Sequence, residues 1–178
     1  GDGWCTGDES YGTCPGDCPR CEPIPPPGRT VEETEICFEA GGPMEYWRTE
    51  SAGSGGSLMW THTTDHDYVV NYAVWNLDFE EAGEYRVEAY ADGAWAQSRT
   101  APYTVRHDGT DSPVVVDQTL VDGWTLVGEF PFAAGGDQWV RVDDNTGEPG
   151  STNTQIVADS IRLTRLDPPA ADADADAD

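Results

Sequence analysis

Residues 84–91 read EYRVEAYA and residues 124–132 read WTLVGEFPF. In the first, Tyr85, Val87 and Ala89 alternate with Arg86, Glu88 and Tyr90, the period of two that a half-buried strand shows. In the second, Trp124, Leu126, Phe130 and Phe132 are predicted to share one face. WVRV at 139–142 and IVADSIRLTRL at 156–166 repeat the habit. By the same reading Trp60, Trp75, Trp124 and Trp139 lie in strands and face the core. From about Thr34 to Leu166 such runs are separated by Gly, Asp, Pro and Ser, and helical periodicity is absent. The turn spacing predicts about nine or ten strands, which is the pattern of an all-β, two-sheet antiparallel β-sandwich.

Composition changes on both sides of this region. Residues 1–21 hold Cys5, Cys14, Cys18 and Cys21 with almost no aliphatic side chains. Residues 22–33 begin EPIPPPG and read as an extended proline-rich linker. The sandwich is placed at 34–166, and 167–178 ends in an Ala-Asp repeat that cannot form a core. The chain of 178 residues carries 34 Asp+Glu against 9 Lys+Arg, a formal net charge of −25, and every cation is arginine. This excludes nucleic acid as a partner, which needs cationic patches to release counterions, and an anionic membrane surface, which needs polybasic segments. No apolar run approaches the roughly 18 residues of a membrane span. Neutral glycans, divalent cations and basic proteins stay open. The chain starts at Gly1 without Met, so trimming or processing is expected.

Four ordered blocks, AVWNLDFEEAGEYRVEAY (73–90), APYTVRHDGTDSPVVVDQ (101–118), DGWTLVGEFPFAAGG (122–136) and VADSIRLTR (157–165), resemble the golvesin/xanthan-lyase-type module. The resemblance covers roughly residues 35–166. It implies an extracellular jelly-roll-like sandwich similar to carbohydrate-binding modules, often found beside the catalytic domain of a secreted enzyme. The N-terminal segment is similar to the short extracellular repeat CGDGxC…E…CPxDC, here Gly1-Asp2-Gly3, Cys5, Glu9 and Cys14-Pro15-Gly16-Asp17-Cys18. The cysteine of that repeat that stands before Gly-Asp-Gly has no counterpart in these residues; with one, the cysteines would number six.

Cys5, Cys14, Cys18, Cys21 and Cys37 form an odd set. At this density in a segment without a core they read as disulfides of a small N-terminal knot in an oxidising compartment, with Cys37 bridging the knot to the first strand. Zinc is the rival, through Cys14-x3-Cys18-x2-Cys21. Asp2, Asp8, Glu9 and Asp17 lie among glycines, where carboxylates and backbone carbonyls can gather around calcium or simply cap turns. Asp159 falls on the phase of Val157, Ile161 and Leu163, so it is predicted to face inward. A carboxylate there must be paired, hydrogen-bonded or bound to metal. The resemblance adds a structural calcium between the first and last strands, for which Glu39 is the matching ligand. Asp143, Asp144, Asn145 and Glu148 read as a cation loop or an exposed hairpin turn. His62, Asp65, His66 and Asp67 lack the helix that a His-x3-His metal pair uses. His107, beside Asp108 at a hairpin end, is expected to be solvated.

No GxSxG elbow occurs, and carboxylate pairs among 34 acids carry little information, so no catalytic residues are assigned and an enzyme is not expected. Trp47 and Trp95 lie in polar, loop-like surroundings suited to stacking on sugars. Asp172, Asp174, Asp176 and Asp178 line one side of the tail as an extended strand and suggest self-association through calcium or arginine. The leading expectation is therefore a non-catalytic extracellular or cell-surface structural protein that assembles into a homo-oligomer or filament with calcium. The alternative is a carbohydrate-binding module for cell-surface or matrix polysaccharide.

Overall fold

A computed structural model describes residues 21–167. Twelve strands follow in order: β1 (Thr30–Glu32), β2 (Phe38–Gly41), β3 (Arg48–Glu50), β4 (Leu58–His62), β5 (Tyr72–Phe79), β6 (Gly83–Ala91), β7 (Ala101–His107), β8 (Thr110–Val116), β9 (Gly123–Phe132), β10 (Gly135–Asp143), β11 (Gln155–Ala158) and β12 (Ser160–Arg165). They form a four-stranded sheet β1-β12-β6-β9, a five-stranded sheet β2-β5-β10-β7-β8 and a three-stranded sheet β11-β4-β3. Every pairing between these strands is antiparallel. The expected all-β sandwich is the fold. None of the helical turns among the described residues is long and apolar enough to cross a membrane.

The alternation in β6 is the inward rhythm of the core. Tyr85, Val87 and Ala89 are buried, and they meet Phe79, Trp75, Tyr103 and Val140 from the five-stranded sheet in one cluster. Phe79 stacks on Phe132 at 4.4 Å and tilts against Tyr85 at 4.8 Å, so three rings from the two sheets close one end of the core. Burial of such rings supplies most of the stabilising free energy, about 25 cal/mol per Å² of apolar surface. The sandwich also begins earlier than composition suggests. Ile24, inside the proline-rich stretch, is buried and bridges to Phe79, and β1 lies within 22–33.

One prediction about β9 fails for a specific reason. Val87 pairs with Gly128 and Glu88 with Leu126, so Val127 is an extra residue in the ladder. This bulge reverses the phase of the strand. Phe132 and Val127 are buried, whereas Leu126 is 56% exposed and Trp124 only half-buried on the outer face. The four residues therefore do not share a face. Trp60 and Trp75 are core residues as expected, but Trp139 is half-buried on the outward phase of β10. His107 is also not solvated: it is 8% exposed, and its Nδ1 donates to the Pro131 carbonyl, which can only accept. Ser112 Oγ meets Nε2 and Phe130 packs on the ring. The hairpin itself is as expected, with Asp108 and Gly109 both at positive φ, as a tight two-residue turn requires.

Cys37 is joined to Cys21 across 16 residues, with the Cα atoms 5.2 Å apart. The bridge ties the chain entering the sandwich to the start of β2, matching the expected link from Cys37 to the N-terminal segment. Cys5, Cys14 and Cys18 lie outside the described residues. Closing a loop of this length stabilises a fold by roughly 3 kcal/mol through the unfolded chain. The double variant Cys21→Ala/Cys37→Ala should lose about 2–4 kcal/mol in chemical denaturation, and an unchanged midpoint would show that the bridge constrains nothing.

Candidate functional site

β1 pairs with β12, setting Glu32 opposite Ser160. The chain leaves the three-stranded sheet after Ala158 and enters the four-stranded sheet at Ser160, so Asp159 sits at the corner. The result is a group of carboxylates from Glu32, Glu33 and Asp159 with one oxygen of each within 4.8 Å of the others. Asp159 is 2% exposed and Glu33 7%. Asp159 Oδ2 accepts the Ser54 N–H at 3.0 Å, and Ser54 Oγ donates to Glu32 Oε1 at 3.5 Å. Asp159 Oδ1, both Glu33 oxygens and Glu32 Oε2 are buried without a hydrogen-bond partner. No ion pair among the described residues involves any of the three.

Magnitudes show what this arrangement demands. Two unit charges at 4.8 Å repel by about 3.5 kcal/mol at an effective dielectric near 20. A hydrogen bond to a charged group returns only about 1.5–3 kcal/mol. Three ionised carboxylates therefore gain from a shared cation, and without one their charge is opposed by burial and by mutual repulsion. Burial, and then the charges of Glu33 and Glu32, push Asp159 up to about 7, against the Ser54 amide that favours its charge. Burial also raises Glu33 and Glu32 above the usual carboxylate range. The donors are all oxygens, which suit a hard divalent cation of the calcium class rather than zinc or copper.

The partner acids differ from expectation. Asp159 does point inward, but Glu39 is exposed and accepts from the Tyr72 hydroxyl, so it does not complete the group. The useful signal was Val31-Glu32-Glu33, two acids following an inward-facing residue, yet only the pairing of the first strand with the last brings them to Asp159. Asp2, Asp8, Glu9 and Asp17 lie outside the described residues, as do Asp172, Asp174, Asp176 and Asp178. Asp143 pairs with Arg141 at 2.6 Å, and Asp144 accepts from Val70 and Asn71 amides, so both serve the protein's own groups. His62 lies edge-on to Trp60 and His66 stacks on Tyr68.

Two aromatic groups flank this acidic end. Trp95 stacks on Trp60 at 5.9 Å, in a small cluster with Leu58, Ala91, Ala96, Val157 and Ala52. Trp95 remains half-exposed, as a glycan contact must. Trp47 does not serve that role: it is 9% exposed, and its indole N–H donates to the Gly41 carbonyl. The second group was missed because Trp124 read as core. Trp124 pairs across the sheet with Tyr90, ring centroids 5.2 Å apart and nearly perpendicular. The Arg162 guanidinium lies 4.3 Å over the indole and is held by Glu88 at 2.9 Å. Asp122 accepts the Gly93 N–H and so ties the strand that carries Trp124 to the turn that carries Trp95. The Tyr90 hydroxyl is raised by burial and by the charges of Asp122, Asp159 and Asp92, which places it in the field of the same acids.

Asp159 makes stability depend on pH. Its folded value near 7 exceeds the ordinary 3.8, so between these values the folded state binds more protons than the unfolded chain and stability falls as pH rises. Without divalent cations, the thermal midpoint should rise as pH is lowered from about 8 toward 5, and Asp159→Asn should flatten that slope. Equal slopes in the two proteins would remove Asp159 as the cause.

No curated protein sequence matches the chain. Among solved structures it is similar to a xanthan lyase from Paenibacillus, at 19% identity and a TM-score of 0.63, covering 78% of this chain and 13% of the lyase. A family 35 carbohydrate-binding module from Clostridium thermocellum aligns at 15% identity and a TM-score of 0.51, covering 76% of this chain and 97% of that module. A further family 35 module, solved in complex with a glucuronic-acid-containing disaccharide, aligns at 14% identity and a TM-score of 0.50, covering 77% of this chain and 93% of its own. At these identities the likeness is one of fold. The family model of the Golvesin C-terminal domain matches residues 37–165, and the chain belongs to that family.

Proposed function

We propose that the chain is a non-catalytic, secreted carbohydrate-binding module that holds a calcium ion at Glu32, Glu33 and Asp159. The carrying observation is Trp124, turned out of the core by the Val127 bulge and braced by Tyr90, Arg162 and Glu88. A bulge that re-aims a side chain onto the outer face of a sheet is a device found near binding sites. Half-buried rings rimmed by polar groups leave an edge open to the C–H face of a pyranose, with the neighbouring charged pair available to hydroxyls. Arg162 is committed to Glu88, and Asp92 and Asp122 lie nearby, so the surface favours a neutral polysaccharide over a polyanion. The Cys21–Cys37 bridge supports an oxidising, extracellular setting. The likeness to family 35 modules supports the same reading.

The test is retention on a panel of neutral and anionic polysaccharides. Trp124→Ala should weaken binding to a neutral polysaccharide by about tenfold or more, about 1.4 kcal/mol, with the thermal midpoint little changed. Trp95→Ala should weaken the same binding. Wild-type retention that neither substitution alters would sink the proposed surface.

A further inference from the structure

We infer that cation binding at Glu32, Glu33 and Asp159 sets the position of Trp95 through the loop of residues 51–57, so that the glycan surface is assembled only when the cation is present. This rests on the cation reading above. The loop, SAGSGGS, has no large apolar side chain to anchor it, so its place is fixed by three consecutive residues. Ala52 packs in the cluster that holds Trp95. Gly53 donates its N–H to Asp92 Oδ2 at 3.1 Å. Ser54 donates its amide to Asp159 and its hydroxyl to Glu32. Gly53 has a φ of +82°, and a Cβ there would overlap the Asp159 carboxylate, so the loop lies directly on the acids. A Cβ on Gly55 would meet the Glu32 carboxylate at 2.9 Å.

From Asp92 the chain of contacts reaches the ring. Asp92 Oδ1 accepts the Ala94 N–H at 2.9 Å, and its carbonyl accepts the amides of Trp95 and Ala96 at 3.0 and 2.7 Å. One residue thus receives the loop on one carboxylate oxygen and holds the Trp95 turn with its other acceptors. A cation binds the converged carboxylates and not a splayed set, which is the differential affinity that any ligand-driven shift requires. With the cation bound, the acids form a fixed seat for Ser54, and Gly53 presses on Asp92. Without it, repulsion among three carboxylates acts on the seat, and a glycine-rich loop yields. The cation need not touch the sugar.

The experiment uses the full chain labelled with 5-fluorotryptophan, the Trp95 resonance being identified by its loss in Trp95→Phe. Calcium is titrated while the fluorine spectrum and the thermal midpoint are followed. The Trp95 resonance should shift in step with a rise in midpoint, and Asp92→Ala should keep the rise but lose the shift. Affinity for a retained neutral polysaccharide should fall about five- to tenfold in chelator, a typical coupling between sites. A Trp95 resonance that stays still in the wild type while the midpoint rises overturns the coupling and leaves the cation site standing. If neither moves, both are overturned. A shift that persists in full in Asp92→Ala overturns the route. The wild-type titration decides the matter even if the variant does not fold.

Discussion

Burying Glu32, Glu33 and Asp159 within one another's reach is the constraint to which the loop end of this sandwich answers. The first strand pairs with the last, the chain turns from one sheet into another at Asp159, and these two steps bring the three acids together. Carboxylates so placed are satisfied by protons at low pH or by a hard cation near neutrality. The glycine-rich loop at 51–57 is shaped to lie on them, with positive φ at Gly53 and Gly56. The acids therefore organise backbone as well as charge.

The aromatic surface depends on a different device. In the four-stranded sheet, the Val127 bulge shifts the phase of β9, so that Phe132 and Val127 face inward while Trp124 and Leu126 lie on the outer face. Leaving Leu126 exposed and Trp124 only half-buried forgoes hydrophobic stabilisation, about 25 cal/mol per Å² left in water. Arg162 and Glu88 recover part of it by covering one side of the indole with a charge pair. Gln118, fully buried, joins β11 to β7: it exchanges hydrogen bonds with Val157 and donates to the Tyr103 hydroxyl. The acids and the aromatics thus occupy one end of the molecule, tied together through Asp92 and Asp122.

Local pattern carried the fold a long way. The alternation of Tyr85, Val87 and Ala89 marks the core face, Cys37 marks the tie to the N-terminal segment, and Asp159 on an apolar phase marks a buried charge. Non-local facts were not legible. Glu39 looked like the partner of Asp159 because the resemblance places a calcium between the first and last strands, whereas Glu32 and Glu33 owe their place to strand pairing across the whole chain. Trp124 and Leu126 looked buried because a bulge leaves little trace in sequence, Gly128 beside it being the one hint. Trp47 looked open because polar neighbours surround it in the chain, yet folding gives its N–H the Gly41 carbonyl. His107 looked solvated for the same reason, and the Pro131 carbonyl across the sandwich decides otherwise.

Calorimetric titration of calcium into the full chain asks whether the buried acids seat a cation. Asp159→Asn should remove one equivalent of bound calcium per chain, and Glu39→Gln should remove none. Identical isotherms for the wild type and Asp159→Asn would contradict that seat.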